Sequence, residues 1–145
     1  MKKSTGLSTR VETFVDTSGF YALLVKSDPM HERARDLLGR TAQSSGRFLT
    51  TDYILDETAT LLKARGYGYL GESFFARVFA SAACQIAWMD SDSFARTRYF
   101  FLKYHDQAWS FTDCFSFHVM RLRGLHRALT TDMHFRQAGF QPLLI

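Results

Sequence analysis

Residues 11–19 read VETFVDTSG, and this stretch decides the fold. Its apolar first half predicts a buried β-strand over 11–15, and its second half predicts a turn into a short helix. The apolar face of that helix carries Phe20, Tyr21, Leu23 and Leu24. A strand that leads directly into a helix is the first half of a crossover between parallel strands. The stretch therefore predicts an α/β protein.

The same strand-then-helix pattern recurs along the chain. Further strands are predicted at 48–51, 84–89 and 128–131, with a last edge strand at 142–145. Helical periodicity fills the intervals between them, and the second helix is predicted to begin at Pro29 with Asp28 as its N-cap. Strands separated by helices predict a mainly parallel sheet covered on both faces, with all strand-to-helix turns at one edge.

Length and composition indicate one domain. The chain has 145 residues, of which 46% are hydrophobic and 15% aromatic, enough for one substantial core. Residues 1–10 are polar and aperiodic, so we predict a flexible tail before a single domain over 11–145. The chain lacks an apolar run of the roughly 20 residues that cross a bilayer, and it lacks a secretory h-region. We therefore predict a cytoplasmic protein that does not contact a membrane.

Net charge and cysteine content exclude few classes of function. A formal charge of +4 suits either ordinary solubility or an anionic partner bound around a local acidic pocket. The two cysteines, Cys84 and Cys114, lack metal-binding spacing and are predicted to be buried thiols.

Three acids stand at predicted strand-to-helix turns or in a first helical turn. Asp16 follows the first strand and Asp132 the fourth, so both should emerge at the carboxyl edge, where open α/β sheets bind ligands. Asp113 lies in the first turn of a helix, three residues after Ser110. Each of the three could instead simply cap its helix.

Glu57 is not explained by capping. Its neighbours three and four positions away form an apolar-leaning face, which predicts a half-buried carboxylate, whereas the adjacent Asp56 is predicted to be solvated. A carboxylate on a packing face needs a partner across the fold. If all four acids meet, their mutual repulsion requires a hard cation, Mg²⁺ or Mn²⁺.

Around these acids the chain resembles the PIN-domain family, and within it the VapC-type ribonuclease toxins of bacterial toxin–antitoxin pairs. The matching stretches, in the order the family has them, are FVDTSG at 14–19, TDYILDET at 51–58, WSFTDC at 109–114 and LTTDMHFRQAGF at 129–140. The resemblance implies a PIN-like three-layer α/β/α sandwich around a sheet of four to five mainly parallel strands. It extends over the whole domain.

The resemblance also implies a site and an activity. Its catalytic, metal-binding residues are Asp16, Glu57, Asp113 and Asp132, holding Mg²⁺ or Mn²⁺. Ser18, Thr112 and Ser116 are candidates for support through hydroxyl or water-mediated contacts, although Ser18 and Thr112 also suit helix caps. The implied activity is endoribonuclease cleavage by metal-activated water, leaving 5′-phosphate and 3′-hydroxyl ends. The implied partners are RNA, a cognate small antitoxin and a second copy of the chain.

Several alternatives stay open. Since no acid lies between Cys114 and Thr131, the sequence does not decide between one metal ion and two. The other functions considered are a non-catalytic PIN scaffold, a housekeeping RNA-processing nuclease and a DNA nuclease. A phosphotransfer domain is disfavoured because position 18 is Ser, where such sites use a second acid.

For the basic, histidine and aromatic side chains the sequence predicts only general roles. The histidines, His134 included, are predicted to be core or surface residues because none has a partner at a diagnostic spacing. The first helix and residues 67–75 are predicted to form dimer or antitoxin surfaces, or simply core. The candidates for RNA phosphate contacts are Arg33, Arg35, Lys63, Arg65, Arg96, Arg98, Arg121, Arg123 and Arg127.

Overall fold

The computed structural model describes residues 12–145, so Val11 and the predicted tail at 1–10 lie outside the described residues. Within this range the chain forms five β-strands and seven α-helices. In chain order they are β1 Glu12–Val15, α1 Thr17–Leu24, α2 His31–Gln43, β2 Arg47–Thr51, α3 Asp52–Ala64, α4 Gly71–Ala80, β3 Cys84–Ala87, α5 Ser91–Lys103, α6 Phe111–Arg123, β4 Arg127–Leu129, α7 Met133–Gln137 and β5 Gln141–Pro142. A 3₁₀ turn, Gly68–Leu70, precedes α4.

The strands form one sheet in the order β3-β2-β1-β4-β5, with every neighbouring pair parallel. The central strand is β1, where Phe14 lies opposite Leu49 of β2 and Ala128 of β4. On one side α1 packs against α2 and α3, and α3 against α4, while α6 packs against α5 and α7. The predicted parallel sheet between two helical layers is confirmed.

An aromatic core fixes the helices that lie nearest the carboxyl edge of the sheet. Phe117 of α6 packs edge-to-face against Phe135 of α7 with ring centroids 5.0 Å apart, and Phe135 in turn contacts Phe14 of β1. All three side chains are fully buried. Burying such a ring stabilises the fold by about 1.5 to 3 kcal/mol, so α6 and α7 are held firmly against β1.

The strands are added to the sheet first on one side of β1 and then on the other, so the switch point lies between β1 and β4. Connections from β1 to β3 build one half of the sheet, and the chain then returns to add β4 on the other side of β1. Gly19 permits a close approach here, because a Cβ at this position would lie 2.1 Å from the carbonyl oxygen of Leu129. Such a reversal opens a crevice at the carboxyl ends of the two strands.

Four predicted boundaries are wrong by a few residues, and one of them is that β4 ends at Leu129 and not at residue 131. Helix α2 begins at His31, because Asp28 and Pro29 form a turn in which the Asp28 carboxylate accepts from the N–H of Met30 at 2.8 Å. Strand β3 ends at Ala87, because the N–H of Met89 donates to the side chain of Asp52 instead of to β2. The last strand is Gln141–Pro142, earlier than predicted.

Among the residues that the structure describes, no helix is both long enough and apolar enough to cross a membrane.

Candidate metal centre

The carboxyl edge of the sheet brings the four predicted acids into one neighbourhood. Asp16 lies at the end of β1, Glu57 in α3, Asp113 in the first turn of α6, and Asp132 at the N-cap of α7. They are close enough to act on each other's charge: Asp113 and Glu57 both raise the pKa of Asp16, and Asp132 raises the pKa of Asp113. The four acids therefore form one electrostatic cluster.

Asp16 is buried, with 6% of its surface exposed. Burial is the main cause that raises the pKa of Asp16 from 3.8 to about 7, against the lowering effect of hydrogen bonds from the Thr130 hydroxyl and the Thr17 backbone. Although Asp16 occupies the N-cap position of α1, its side chain makes no capping bond within residues 12–145. Its Oδ2 instead accepts a 2.8 Å hydrogen bond from Thr130. Capping does not explain this carboxylate.

Asp113 combines the cap role with membership of the cluster. Its Oδ2 accepts from the N–H of Ser110 at 3.1 Å, and the Ser110 hydroxyl accepts from the N–H of Asp113 at 3.0 Å, which completes a capping box. The same Oδ2 lies 2.9 Å from Nδ1 of His134. Burial is the largest of the causes that raise the pKa of Asp113. Asp113 therefore caps α6 and belongs to the acidic cluster at the same time.

Asp132 also caps a helix, since its Oδ1 accepts from the N–H of His134 at 2.9 Å. Its own N–H donates to the hydroxyl of Thr130 at 3.0 Å. Because Thr130 also donates to Asp16, one buried hydroxyl joins the ends of β1 and β4.

Glu57 departs from its prediction, because the side chain is exposed and not half-buried. Helix α3 buries Ile54, Leu55, Thr58 and Leu62, and Glu57 lies at the border of that face. Its partner is a hydroxyl and not a cation: Thr17 donates to its Oε1 at 2.5 Å. Glu57 thus belongs to the cluster as its solvent-facing member.

His134 contacts the acids, which the sequence did not predict. Its Nδ1 lies 2.9 Å from Oδ2 of Asp113 and 3.4 Å from Oδ1 of Asp132. One potential ligand atom from each of these three residues lies within 4.8 Å of the others. The contact to Asp113 spans 21 positions, so no local spacing reveals it. The sole signal in the sequence is that His134 follows Asp132 by two residues on a short helix.

The three predicted supporting residues differ in their surroundings. The Ser18 hydroxyl donates to Oδ2 of Asp16 at 3.5 Å, accepts from the N–H of Thr131 at 2.9 Å and lies 3.1 Å from the Thr130 hydroxyl. Ser116 is fully buried, and its hydroxyl finds no hydrogen-bond partner in the described part of the chain. Thr112 is half-buried, and no hydrogen bond within 12–145 joins its side chain to the acids. The sequence prediction omitted Thr17 and Thr130, whose hydroxyls also donate hydrogen bonds to the acids, to Glu57 and to Asp16 respectively.

The donor set fits a divalent metal ion. Carboxylate oxygens dominate it, hydroxyl groups orient two of those carboxylates, and an imidazole nitrogen adjoins the other two. The raised pKa of buried Asp16 shows that the fold leaves its negative charge undercompensated. A bound cation would supply that compensation.

Comparison with known proteins gives a consistent assignment. The sequence profile of the PIN domain matches residues 13–141. The 23S rRNA-specific endonuclease VapC20 of Mycobacterium tuberculosis, from strains CDC 1551 and H37Rv, is 31% identical over 127 residues, which cover 88% of this chain and 94% of the relative. The crystal structure of M. tuberculosis VapC20, described as a sarcin–ricin loop cleaving toxin, has a TM-score of 0.78 and 29% identity over 88% of this chain and 95% of that one.

Proposed function

The chain belongs to the PIN-domain family, and we propose that it is a metal-dependent endoribonuclease, the toxin of a VapBC-type toxin–antitoxin pair. The observation that carries the proposal is the cluster of four acids around buried Asp16, whose charge calls for a cation. The same cluster argues against a non-catalytic scaffold, because an RNA-binding surface gains nothing from buried, mutually repelling carboxylates. The VapC20 relatives, named as RNA endonucleases, support RNA as the substrate.

We assign the metal ligands to Asp16, Glu57, Asp113 and Asp132, with Mg²⁺ or Mn²⁺ as the ion. When bound, such an ion lowers the pKa of a coordinated water and offsets negative charge on the transferring phosphate. Of these four ligands Asp16, Asp113 and Asp132 are the less exposed, and Thr130 and Ser18 keep Asp16 in place. Ser116 and Thr112 stay candidates for water-mediated support.

Glu57 faces solvent while Thr17 fixes its carboxylate. It is therefore placed to orient the attacking water and accept its proton, in the manner of a general base. Water and not the ribose 2′-hydroxyl attacks phosphorus, and the bond between phosphorus and the 3′-oxygen breaks, so the products carry 5′-phosphate and 3′-hydroxyl ends.

Substrate contacts come from basic residues outside the acidic cluster. Several candidates already have protein partners: Arg33 donates to the carbonyl of Leu143, Arg96 pairs with Asp92, and Arg121 lies over the rings of Phe100 and Phe140. Exposed Lys63 and Arg98 are better placed for phosphate contacts. We propose a cytoplasmic location as well, because the proposed RNA substrate is found there.

The antitoxin binds, in this proposal, to a groove of about 660 Å³ beside α1, α2 and α4. Phe20, Leu24 and Phe74 line it, together with the basic side chains of Arg35 and Arg77. A short amphipathic segment with acidic flanks suits such a groove. The exposed aromatic side chains at Phe75, Phe79 and Trp88 offer a separate surface for a homodimer.

The test is cleavage of a defined RNA. Purified protein is incubated with a fragment of 23S rRNA that contains the sarcin–ricin loop, with Mn²⁺ or with EDTA, beside the Asp113→Asn variant. We expect one discrete cut that needs metal and is lost in the variant, and sequencing of the ends should give 5′-phosphates. Cutting that persists in Asp113→Asn would contradict the proposal.

A second measurement separates a toxin from a housekeeping nuclease. Brief induction of the wild-type chain in a bacterial host should arrest growth, and Asp113→Asn should not. Unchanged growth with active enzyme would favour the housekeeping function.

A further inference from the structure

We infer that His134 is a nitrogen ligand of the metal ion, beside Asp113 and Asp132, and that the centre consequently prefers Mn²⁺ to Mg²⁺. The inference rests on the proposed function, because it concerns the same metal centre. It goes further in naming a non-carboxylate ligand and the class of cation that this ligand selects.

The spacing of the three donor atoms is that of neighbouring ligands around one ion. Two donors each about 2.1 Å from an octahedral ion, and at right angles, lie about 3.0 Å from each other. Nδ1 of His134 lies 2.9 Å from Oδ2 of Asp113 and 3.4 Å from Oδ1 of Asp132. These values bracket the ideal edge, so an ion can replace the direct contacts without large movement of the chain.

The position of His134 is well determined by its surroundings. It lies on α7 between Asp132, which caps that helix, and Phe135, which is fully buried against Phe14 and Phe117. The His134 side chain itself keeps 30% of its surface exposed. The imidazole is therefore held at the acids by a fixed backbone yet stays open to an ion from solvent.

The nature of the donor decides the metal preference. Mg²⁺ favours an all-oxygen shell and retains water, and Mn²⁺ accepts the same oxygen ligands. As a transition-metal ion, Mn²⁺ also takes an imidazole nitrogen into its shell more readily than Mg²⁺ does. A centre of carboxylates alone shows little of this discrimination. Adding one imidazole shifts the preference to the transition metal.

The competing interpretation is that His134 only donates its Nδ1–H to Asp113 and remains there when the ion binds. Histidine would then be a positioning residue, and the ion would contact oxygen alone. The two interpretations differ in a directly measurable quantity, the presence of nitrogen in the inner shell.

The experiment uses the full chain stripped with EDTA and loaded with one equivalent of Mn²⁺. Electron spin-echo spectroscopy of the bound Mn²⁺ should show modulation from a directly bound nitrogen, and this signal should vanish in both His134→Asn and His134→Gln. By titration calorimetry, the ratio of Mn²⁺ to Mg²⁺ affinity should fall about tenfold in both variants. His105→Asn, an exposed histidine in the turn after α5, is the matched control and should leave signal and ratio unchanged.

The wild-type spectrum alone decides the inference, so it does not depend on the folding of a variant. Absence of the nitrogen signal in protein that binds Mn²⁺ and cuts RNA would overturn the ligand assignment and leave the proposed function intact. Failure to bind Mn²⁺ together with failure to cut RNA would overturn both.

Discussion

The hydroxyl of Thr130, just after β4, donates a 2.8 Å hydrogen bond to the buried carboxylate of Asp16, just after β1. The two residues stand 114 positions apart in the chain, so this contact exists only in the folded protein. Thr130 is itself fully buried and also accepts from the N–H of Asp132. One side chain thus sets the relative positions of two of the proposed metal ligands.

Replacing Thr130 by Val should weaken the centre. The variant removes a hydrogen bond that lowers the pKa of Asp16, and it leaves the partly buried N–H of Asp132 without its acceptor. We expect the free energy of unfolding to fall by about 1 to 3 kcal/mol and Mn²⁺ affinity to fall by about tenfold or more. Denaturant titration and calorimetry measure the two effects, and Thr130→Ser should recover most of the affinity.

Thr97→Val is the matched control for that substitution. Thr97 is equally buried, but its hydroxyl has no hydrogen-bond partner within residues 12–145. Removing an unsatisfied buried hydroxyl should leave stability unchanged or raise it, and should not alter metal binding. Equal losses in both variants would show that the Thr130 hydroxyl has no special role.

Stability of the metal-free protein should depend on pH through Asp16. Its pKa in the fold is raised to about 7 from 3.8, so the folded state binds the proton more tightly than the unfolded chain does. The resulting stabilisation is fully present below the unfolded pKa and is lost as pH rises through the folded pKa, with an upper limit of about 4 kcal/mol. The raised pKa of Asp113 acts in the same direction.

Denaturant titrations in EDTA at about pH 4.5, 6 and 7.5 test this dependence. We expect Asp16→Asn to lose less stability across that window than wild type, because its side chain does not titrate. Added Mn²⁺ should restore wild-type stability at the highest pH by competing with the proton. Parallel pH curves for the two proteins would refute the role assigned to Asp16.

Glu57 and its neighbour Asp56 offer a paired test of the solvent-facing acid. Both are exposed, so neither Glu57→Gln nor Asp56→Asn should change the free energy of unfolding by more than about 0.5 kcal/mol. Cleavage of the sarcin–ricin fragment should be lost in Glu57→Gln and unchanged in Asp56→Asn. Activity retained in Glu57→Gln would exclude Glu57 from the reaction.

Much of the centre was predictable because strand ends in a parallel sheet meet at one edge. That rule places Asp16 and Asp132 from local pattern alone. Glu57 was selected for an incorrect reason, since helical spacing does not distinguish the border of a buried face from its middle. His134, Thr17 and Thr130 could not be identified, because their partners lie across the fold and depend on how α6, α7 and β1 pack together.

The element boundaries show the same limit. Asp28-Pro29 has the composition of a helix start, yet its carboxylate closes a turn and the helix begins after it. The end of β3 depends on Asp52, which accepts the N–H that would otherwise continue the ladder. Local sequence propensity favours the predicted and the observed boundary almost equally, and tertiary contacts decide between the two.

Gly19→Ala should disturb both the fold and the metal centre. The new Cβ would collide with the carbonyl oxygen of Leu129, which is backbone and cannot move away as a side chain could. Since Leu129 directly precedes Thr130, the disturbance should reach the metal centre. We expect the free energy of unfolding to fall by about 1 to 3 kcal/mol or more, with weaker Mn²⁺ binding in the protein that remains folded. Thermal unfolding with and without Mn²⁺ measures both.

Gly39→Ala is the matched control, because the same substitution at this position should raise the free energy of unfolding. Gly39 lies within α2, and a Cβ there meets nothing within 4 Å. The variant should gain about 0.5 to 1 kcal/mol from better helix propensity and retain wild-type metal affinity. Destabilisation of both variants to the same degree would contradict the close approach of α1 to β4.

The strand order β3-β2-β1-β4-β5 also governs when a newly made chain acquires its full acidic cluster. During synthesis β1, β2 and β3 emerge first and leave one edge of β1 unpaired until β4 arrives. Long-range parallel pairing of this kind is slow to form. Asp16 is therefore synthesised well before Thr130, Asp132 and His134, and a ribosome that has not yet translated β4 carries a chain in which the proposed metal centre is incomplete.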